Sequence, residues 1–216
     1  MPVQMNPARL EVSALTCRFG GRTVVANVSL RIAPGERVAL VGGNGSGKTT
    51  LLRALLGLHA QSLGDLRLDG KAPGNWIEWR QRIAFVPQRQ NGGQFPLRVD
   101  ELIASARKGA NPSQLAAAAQ AAGVETILQR PLSGLSGGQL QRAWLARTFA
   151  CIAAGAGLLL ADEPTAALDF AGRAEIGALL VNTPVTALIV THDRELAERC
   201  DRIIEIADGQ LREQTA

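Results

Sequence analysis

A glycine-rich loop that ends in lysine and threonine constrains this chain more than any other feature. Residues 42–49 read GGNGSGKT and stand between an apolar run at 38–41 and a helical apolar pattern at 51–58. This strand–loop–helix order lets backbone N–H groups and a helix N-terminus converge on phosphate oxygens. We therefore predict that this phosphate loop binds a nucleoside triphosphate, with Lys48 on the β- and γ-phosphates and Thr49 on Mg²⁺. The residues assigned to nucleotide binding here are Gly42, Gly43, Asn44, Gly45, Ser46, Gly47, Lys48, Thr49 and Thr50.

Short apolar runs predict a parallel sheet that helices cover on both faces. These runs span residues 38–41, 83–86, 158–161 and 187–190, and turn or polar residues bound each of them. Continuous apolar runs of this length fit strands that are buried on both faces. Residues 9–15 and 23–32 alternate more between apolar and polar, which predicts an antiparallel β layer beside the sheet.

The middle of the chain has a different character. Residues 91–148 are rich in Ala, Gln and Arg, with helical patterns at 99–107, 114–122 and 140–148. We interpret this segment as a helical subdomain inserted into an α/β core of the P-loop NTPase type. The predicted organisation is a single nucleotide-binding domain whose core comprises residues 1–90 and 149–216, with a helical subdomain at about 91–148.

A carboxylate pair follows one of the predicted strands. Residues 158–163 read LLLADE, so Asp162 and Glu163 are expected at the edge of the sheet where α/β folds bind ligands. Asp162 can hold Mg²⁺ through water, and Glu163 can reach the attacking water as a general base. An apolar run before Asp-Glu is a weak signal by itself, but it is a strong one after a complete phosphate loop.

A second glycine motif stands ahead of the helical pattern at 140–148. Residues 135–139 read LSGGQ. In isolation such a stretch is most often an ordinary loop. Its two glycines, its hydroxyl and the helix that follows nevertheless mirror the physics of the phosphate loop. The binding residues assigned here are Ser136, Gly137, Gly138 and Gln139.

Together these motifs resemble those of the ATP-binding cassette (ABC) ATPases, specifically the nucleotide-binding subunits of ABC transporters. The resemblance runs from about Arg9 to Leu211, keeps the family's motif order, and identifies LSGGQ as the family's signature motif. Four further residues match family positions around the nucleotide: Phe19, Gln88, Asp169 and His192. Phe19 stands where the family more usually carries Tyr.

The resemblance implies a role for each of these residues. Phe19 would stack on adenine, and His192 would bond the γ-phosphate. Gln88 would contact Mg²⁺ and water, and would move when a membrane partner moves. The implied catalytic set is Glu163, His192, Lys48 and Gln88, and the implied metal set is Thr49, Gln88 and Asp162.

The resemblance also implies partners. The signature of one subunit faces the phosphate loop of another, with Ser136 and Asp169 acting across the interface. The implied assembly is a head-to-tail dimer around two Mg-ATP, formed with a second copy or with a homologous ATPase subunit. It would drive substrate through separate integral membrane permease subunits that dock at about residues 88–107, with a substrate-binding protein if the transporter is an importer. The expected location is cytoplasmic, peripheral on the inner face of the cell membrane.

The cargo and the class of partner leave alternatives open. Residues 95–102, FPLRVDEL, are similar to a segment in ATPases of metal-ion and iron-chelate importers. An exporter subunit and a soluble, non-transport ABC ATPase remain the other readings. The 23 basic and 19 acidic residues include no long basic run, so no nucleic-acid partner is expected. The longest apolar stretch, residues 149–161, is too short to span a bilayer.

Overall fold

The structure is a computed structural model that describes residues 6–88, 96–106 and 110–213. Its strands and helices, in chain order, are β1 (Leu10–Phe19), β2 (Arg22–Ile32), β3 (Arg37–Val41), α1 (Lys48–Leu55), β4 (Ser62–Leu68), α2 (Trp76–Gln81), β5 (Ile83–Val86), α3 (Val99–Ala104), α4 (Pro112–Ala121), α5 (Gly137–Ala153), β6 (Leu158–Asp162), α6 (Phe170–Val181), β7 (Thr186–Val190), α7 (Arg194–Glu198), β8 (Arg202–Ala207) and β9 (Gln210–Glu213). Two 3-10 turns, Glu125–Ile127 and Leu132–Gly134, lie between α4 and α5. Of the helices in these ranges, none is long and apolar enough to cross a membrane.

The central sheet has the order β5-β6-β7-β3-β8-β9 within the described residues. The first five strands in this order, β5, β6, β7, β3 and β8, run parallel to one another. Strand β9 forms an antiparallel hairpin with β8. The four predicted apolar runs are β3, β5, β6 and β7, so the predicted α/β fold with a mainly parallel sheet is confirmed. The apolar-run pattern does not reveal β8 and β9, because their residues alternate in burial or are mostly exposed.

The predicted antiparallel layer is present as the sheet β2-β1-β4. Its third strand, β4, has the sequence SLGDLRL, whose first half is exposed and gives no alternating signal. At Gly64 the backbone φ is +128°, and a Cβ there would lie 2.7 Å from the Cα of Leu15. Only glycine therefore lets β4 approach β1 at this point.

Helix α1 packs between the antiparallel layer and the central sheet. Its residues Leu51 and Leu55 are fully buried, in one cluster with Leu10 and Ile32 of the layer and Leu160 of the central sheet. Because α1 begins at Lys48, within the last two residues of the phosphate-loop motif, this packing fixes the loop between the two sheets.

Helices α3, α4, α5 and α6 contribute to a second apolar cluster on the opposite face of the central sheet. Strand β6 is buried along its whole length, and its successive side chains serve the two faces. Leu160 joins the α1 cluster, whereas Leu159 joins Leu145 of α5 and Ile176 of α6. Leu102 of α3 belongs to the same cluster, so the helical segment and the sheet share one continuous core.

The three helical patterns predicted within residues 91–148 correspond to α3, α4 and α5. Helix α5 is longer than its pattern at 140–148, because it starts immediately after the signature serine and continues to Ala153. The predicted boundary between residues 148 and 149 falls inside this helix. The division of the chain into a core and a helical subdomain stays a prediction.

Candidate nucleotide-binding site

Three neighbouring parallel strands bring the predicted site residues to one edge of the central sheet. Strand β3 pairs with β7 and β7 pairs with β6, so Leu40 and Asp162 both lie opposite Val190 in register. The phosphate loop follows β3, Glu163 follows β6, and His192 follows β7. The carboxyl ends of parallel strands thus meet at the edge where α/β folds bind ligands.

The backbone of the phosphate loop requires glycine at its two ends. Gly42 has φ +150°, and a Cβ there would lie 2.3 Å from the carbonyl oxygen of Ile206. Gly47 has φ +110° and is the N-cap of α1, so the helix begins at Lys48 with no side-chain cap. The uncapped N–H groups of this first turn are free to face an anion, which the helix dipole favours.

The Lys48 ammonium is buried and held by the loop itself. Its Nζ donates to the carbonyl oxygens of Gly42 at 2.6 Å and Gly43 at 2.9 Å. Burial lowers the pKa of Lys48, and the carboxylates of Glu163 and Asp162 act against that shift. The loop therefore concentrates a positive charge at the edge of the sheet, close to two carboxylates.

Thr49 and Asp162 form the candidate metal site. The Thr49 hydroxyl donates to Asp162 Oδ2 at 2.8 Å. Asp162 is 2% exposed, and its Oδ1 has no hydrogen-bond partner among the described residues. Burial raises the pKa of Asp162, and the bond from Thr49 acts against that shift. A buried carboxylate oxygen without a partner, beside a hydroxyl, fits the oxygen ligands that Mg²⁺ takes with its waters.

Glu163 lies next to Asp162 in a strained backbone conformation. Its φ is +52°, and its N–H donates to the carbonyl oxygen of Val190 at 2.9 Å. Glu163 Oε2 accepts from the backbone N–H of His192 at 3.2 Å. The other oxygen, Oε1, lies 3.3 Å from His192 Nε2 without hydrogen-bond geometry, and is a buried acceptor with no partner in the described part of the chain. Burial raises the pKa of Glu163, against the effect of the His192 N–H, so its carboxylate binds a proton more readily than an exposed glutamate does.

These groups line one cleft of about 360 Å³. Gln88 reaches it from the end of β5, and Phe19 reaches it from the end of β1. The predicted site residues in its wall are Phe19, Asn44, Gly45, Gly47, Lys48, Thr49, Thr50, Gln88, Asp162, Glu163 and His192. Gly42 contributes its carbonyl oxygen to the Lys48 ammonium.

A second cleft of about 640 Å³ opens beside the first and shares Phe19, Val24, Asn44 and Gly45 with it. Gly43 and Ser46 also line it. The Phe19 ring is 75% exposed, which suits a surface on which an aromatic base stacks. Residues 206–209 also line this cleft. The sequence motifs do not predict this, because the segment contains no motif and lies near the phosphate loop only because β8 pairs with β3.

The signature motif lies outside both clefts. Ser136 caps α5: its Oγ accepts from the N–H of Gln139 at 3.3 Å, and Gln139 Oε1 accepts from the N–H of Ser136 at 3.1 Å. A Cβ on Gly138 would lie 3.4 Å from the carbonyl oxygen of Ala167, so the helix start packs on the segment after Glu163. Asp169 caps α6 by accepting from the N–H of Gly172 at 2.9 Å. Within one chain, Ser136, Gly137, Gly138, Gln139 and Asp169 do not join the residues that line the clefts.

The fold and the clefts define a class of protein, the phosphate-loop ATPases of the α/β type. Comparison with known proteins makes this more specific, since the family model described as "ABC transporter" matches residues 25–166. The chain belongs to the ABC transporter family and is an ATP-binding and ATP-hydrolysing subunit of that family.

Three curated relatives are similar to most of the chain. A hemin import ATP-binding protein of Rhodopseudomonas palustris is 37% identical, and the alignment covers 94% of this chain and 80% of the relative. A zinc import ATP-binding protein of Cereibacter sphaeroides is 39% identical, with 88% and 75% covered. An Fe(3+) ions import ATP-binding protein of Streptomyces coelicolor is 32% identical, with 96% and 62% covered.

A solved structure supports the fold. A bacterial Atm1-family ABC exporter with ATP bound matches with a TM-score of 0.84 at 26% sequence identity. The match covers 99% of this chain and 40% of the exporter chain. The fold is therefore that of a part of the exporter chain.

Proposed function

We propose that this ATPase hydrolyses ATP in the cleft between the phosphate loop and the ends of β6 and β7. The observation that carries the proposal is the convergence of one ammonium, two buried carboxylates, two threonines and one imidazole on a single cleft. Lys48 would hold the β- and γ-phosphates, and Phe19 would stack on the adenine. His192, which follows β7, would bond the γ-phosphate, and Gln88, which follows β5, would contact Mg²⁺ and water. Strands β5 and β7 are the two neighbours of β6.

Mg²⁺ fits the Thr49 and Asp162 oxygens, and when bound it would neutralise charge on the phosphate oxygens. The chain's own residues then carry the proton transfer. Glu163 Oε1, a buried acceptor without a partner in the described residues, would take a proton from water. The water oxygen bonds to the γ-phosphorus as the bond to the β–γ bridging oxygen breaks, giving ADP and phosphate.

The position of the signature supports a dimer as the working unit. Ser136 and its glycines start a 17-residue helix, are exposed or half-buried, and lie outside the cleft that holds Lys48. Two copies arranged head to tail, or one copy with a homologous ATPase subunit, would place each signature on the partner's nucleotide. A closed two-fold arrangement satisfies both sites at once. Asp169, at the start of α6, would cross the same interface.

We further propose that the chain energises an importer of a metal ion or a metal chelate. The support is that relatives named for hemin, zinc and Fe(3+) import cover most of the chain. Membrane permease subunits and a separate substrate-binding protein would complete the importer. The chain would then lie in the cytoplasm, against the inner face of the membrane. An exporter is the competing proposal, supported by the structural match.

An apolar groove of about 340 Å³ suits a cytoplasmic segment of such a permease. Leu58 and Ile77 are large exposed apolar side chains at this groove, and Arg80 and Arg147 line it as well. Ala106 brings the end of the α3 segment to the same groove. The docking surface expected at residues 88–107 lies partly outside the described residues, and this groove extends the proposal to α2.

The transport proposal is tested by purifying the tagged chain from detergent-solubilised native membranes and identifying its partners by mass spectrometry. We expect a multi-spanning permease, whose own family then separates import from export. Ile77→Asp should release it, whereas Leu63→Asp, an equally exposed leucine on β4, should retain it. Ribosomal or DNA-associated partners without a membrane protein would instead favour a non-transport ABC ATPase.

The catalytic proposal is tested with Glu163→Gln, which keeps the shape of the side chain and removes the base. We expect ATP binding to persist, turnover to fall by about 100-fold or more, and an ATP-dependent dimer to accumulate. Analytical ultracentrifugation and phosphate release measure the two effects. Turnover at the wild-type rate would show that Glu163 is not the base.

A further inference from the structure

Gln141 is a buried polar side chain to which the mechanism above gives no role. It lies in the second turn of α5 and is 3% exposed. Its Nε2 donates to the carbonyl oxygen of Pro164 at 2.6 Å, and Pro164 directly follows Glu163. A buried amide is stabilised only if it is hydrogen-bonded, so this contact fixes the helix and the Pro164 carbonyl relative to each other.

Gln141 holds the carbonyl of Pro164, the residue that directly follows Glu163. Glu163 has φ +52°, a left-handed conformation that a residue with a Cβ keeps only when its surroundings enforce it. Strand β7 restrains one side, because Val190 accepts from the Glu163 N–H. The turn restrains the other side, because Ala166 N–H donates to the Glu163 carbonyl oxygen at 3.2 Å. Gln141 supplies the third restraint, from a different element of the fold.

We propose that Gln141 is a positioning residue for Glu163, which fixes the direction of the general base through the Pro164 carbonyl. The proposal rests on the assignment of Glu163 as the base. Without the amide, the Pro164 peptide unit can rotate and the carboxylate moves away from the attacking water. Small displacements of a catalytic group lower the rate without weakening substrate binding.

The same contact joins two functional parts of one chain. Helix α5 begins at the signature, and Gly138 packs against the Ala167 carbonyl of the segment that leads away from Glu163. In the proposed dimer, the signature faces the partner's nucleotide, whereas Glu163 serves the chain's own. Gln141 therefore connects the base at one ATP site to the helix that contacts the other.

The test compares Gln141→Met with a matched control, Gln114→Met, in the full chain. Methionine keeps the length of the side chain and lacks the donor. Gln114 Nε2 also donates to a backbone carbonyl oxygen, that of Ala153 at the end of α5, at 2.6 Å, and neither residue lines the cleft that holds Glu163. We expect Gln141→Met to lower kcat by about 10- to 100-fold, with KM and ATP affinity unchanged within about twofold. Gln114→Met should leave kcat unchanged.

A double-mutant cycle separates positioning from a general structural role. In the Glu163→Gln background, adding Gln141→Met should not reduce single-turnover hydrolysis further, because there is no base to aim. Multiplicative losses would overturn the proposal, as would wild-type kcat in Gln141→Met or an equal loss in Gln114→Met. Wild-type turnover of Glu163→Gln alone would remove the base assignment and this proposal together.

A second variant covers the case in which Gln141→Met does not fold. Gln141→Asn keeps the amide but is one methylene shorter, so it cannot reach the Pro164 carbonyl without movement of the helix. We expect the same fall in kcat, with faster hydrogen exchange than in wild type at the amides of Glu163 and residues 165–168. Wild-type kcat and wild-type exchange in a folded Gln141→Asn would overturn the proposal.

Discussion

The phosphate-loop cleft and the signature surface both contain glycines and the start of a helix, but they differ in how far their polar side chains are hydrogen-bonded. At the cleft, Lys48 is bound by loop carbonyls and Asp162 by Thr49, and one carboxylate oxygen each of Asp162 and Glu163 has no hydrogen-bond partner among the described residues. At the signature surface, Ser136 and Gln139 satisfy each other in a capping box. Asp169 likewise caps its own helix.

This difference supports the phosphate-loop cleft, rather than the signature surface, as the proposed site within one chain. Buried oxygens without partners are costly, and a bound cation or a water in the cleft relieves that cost. An exposed capping box has no such demand, since its donors and acceptors are already paired. The signature therefore needs something outside the chain before it can do chemistry, which agrees with the dimer proposal.

Substitution of Lys48 tests the difference between the two surfaces most directly. Lys48→Met removes the buried ammonium while keeping the stem of the side chain. We expect ATP turnover to fall by about 100-fold or more, and nucleotide affinity of the isolated chain to fall with it. Titration with a fluorescent ATP analogue and phosphate release measure both. Lys71→Met, at an exposed lysine beyond β4, is the control and should behave as wild type. Unchanged affinity in Lys48→Met would contradict the role assigned to the cleft.

Ser136→Ala should separate the two surfaces. We expect turnover to fall by about 10- to 100-fold while a monomer binds ATP as tightly as wild type, because the hydroxyl serves the partner's nucleotide. The variant also loses a helix cap, which costs about 1 kcal/mol. Asn111→Ala is the matched control for that loss, because Asn111 and Gln114 form a capping box of the same kind at the start of α4. Asn111→Ala should lower the melting temperature similarly and retain turnover. Weaker ATP binding by monomeric Ser136→Ala would argue against action across the interface.

The smallest expected effect is at Phe19, at the rim of the cleft. Base stacking on an aromatic ring contributes about 1–3 kcal/mol. Because Phe19 is largely exposed, we expect the lower end of that range, so Phe19→Ala should weaken nucleotide binding by about tenfold. Phe19→Tyr should bind as wild type does. Because the ring is 75% exposed, neither variant should change the melting temperature. Calorimetric titration with ATP measures the affinity, and equal affinities of Phe19→Ala and wild type would exclude stacking there.

Much of this fold can be predicted from local patterns in the sequence. The strands β3, β5, β6 and β7 are continuous apolar runs because both of their faces are buried, and such runs stand out in a sequence. Strand β4 and the hairpin of β8 and β9 do not stand out, since one face or most of each strand is exposed. Their places depend on partners distant in the chain, such as Leu15 beside Gly64.

The residues of the candidate site likewise differ in whether the sequence alone can predict them. Short motifs predict Lys48, Asp162 and Glu163 from their neighbours in the sequence, whereas the resemblance to the ABC ATPases adds the roles of Ser136 and His192. Gln141 has no such signal, since a glutamine in an amphipathic helix is usually exposed. Only the packing of α5 against the segment after β6 shows that this one is buried and bonded.

The sequence by itself determined that the chain is an ATP-binding subunit with a mainly parallel sheet at its core, and it predicted which residues approach the phosphates. The tertiary structure decided that the signature stands apart from the cleft, that Glu163 is held at φ +52°, and that Gln141 bonds the carbonyl of Pro164. The reason is physical. Motifs and apolar periodicity are local properties of a chain, whereas burial, strain and hydrogen bonds between distant segments exist only after the chain has packed.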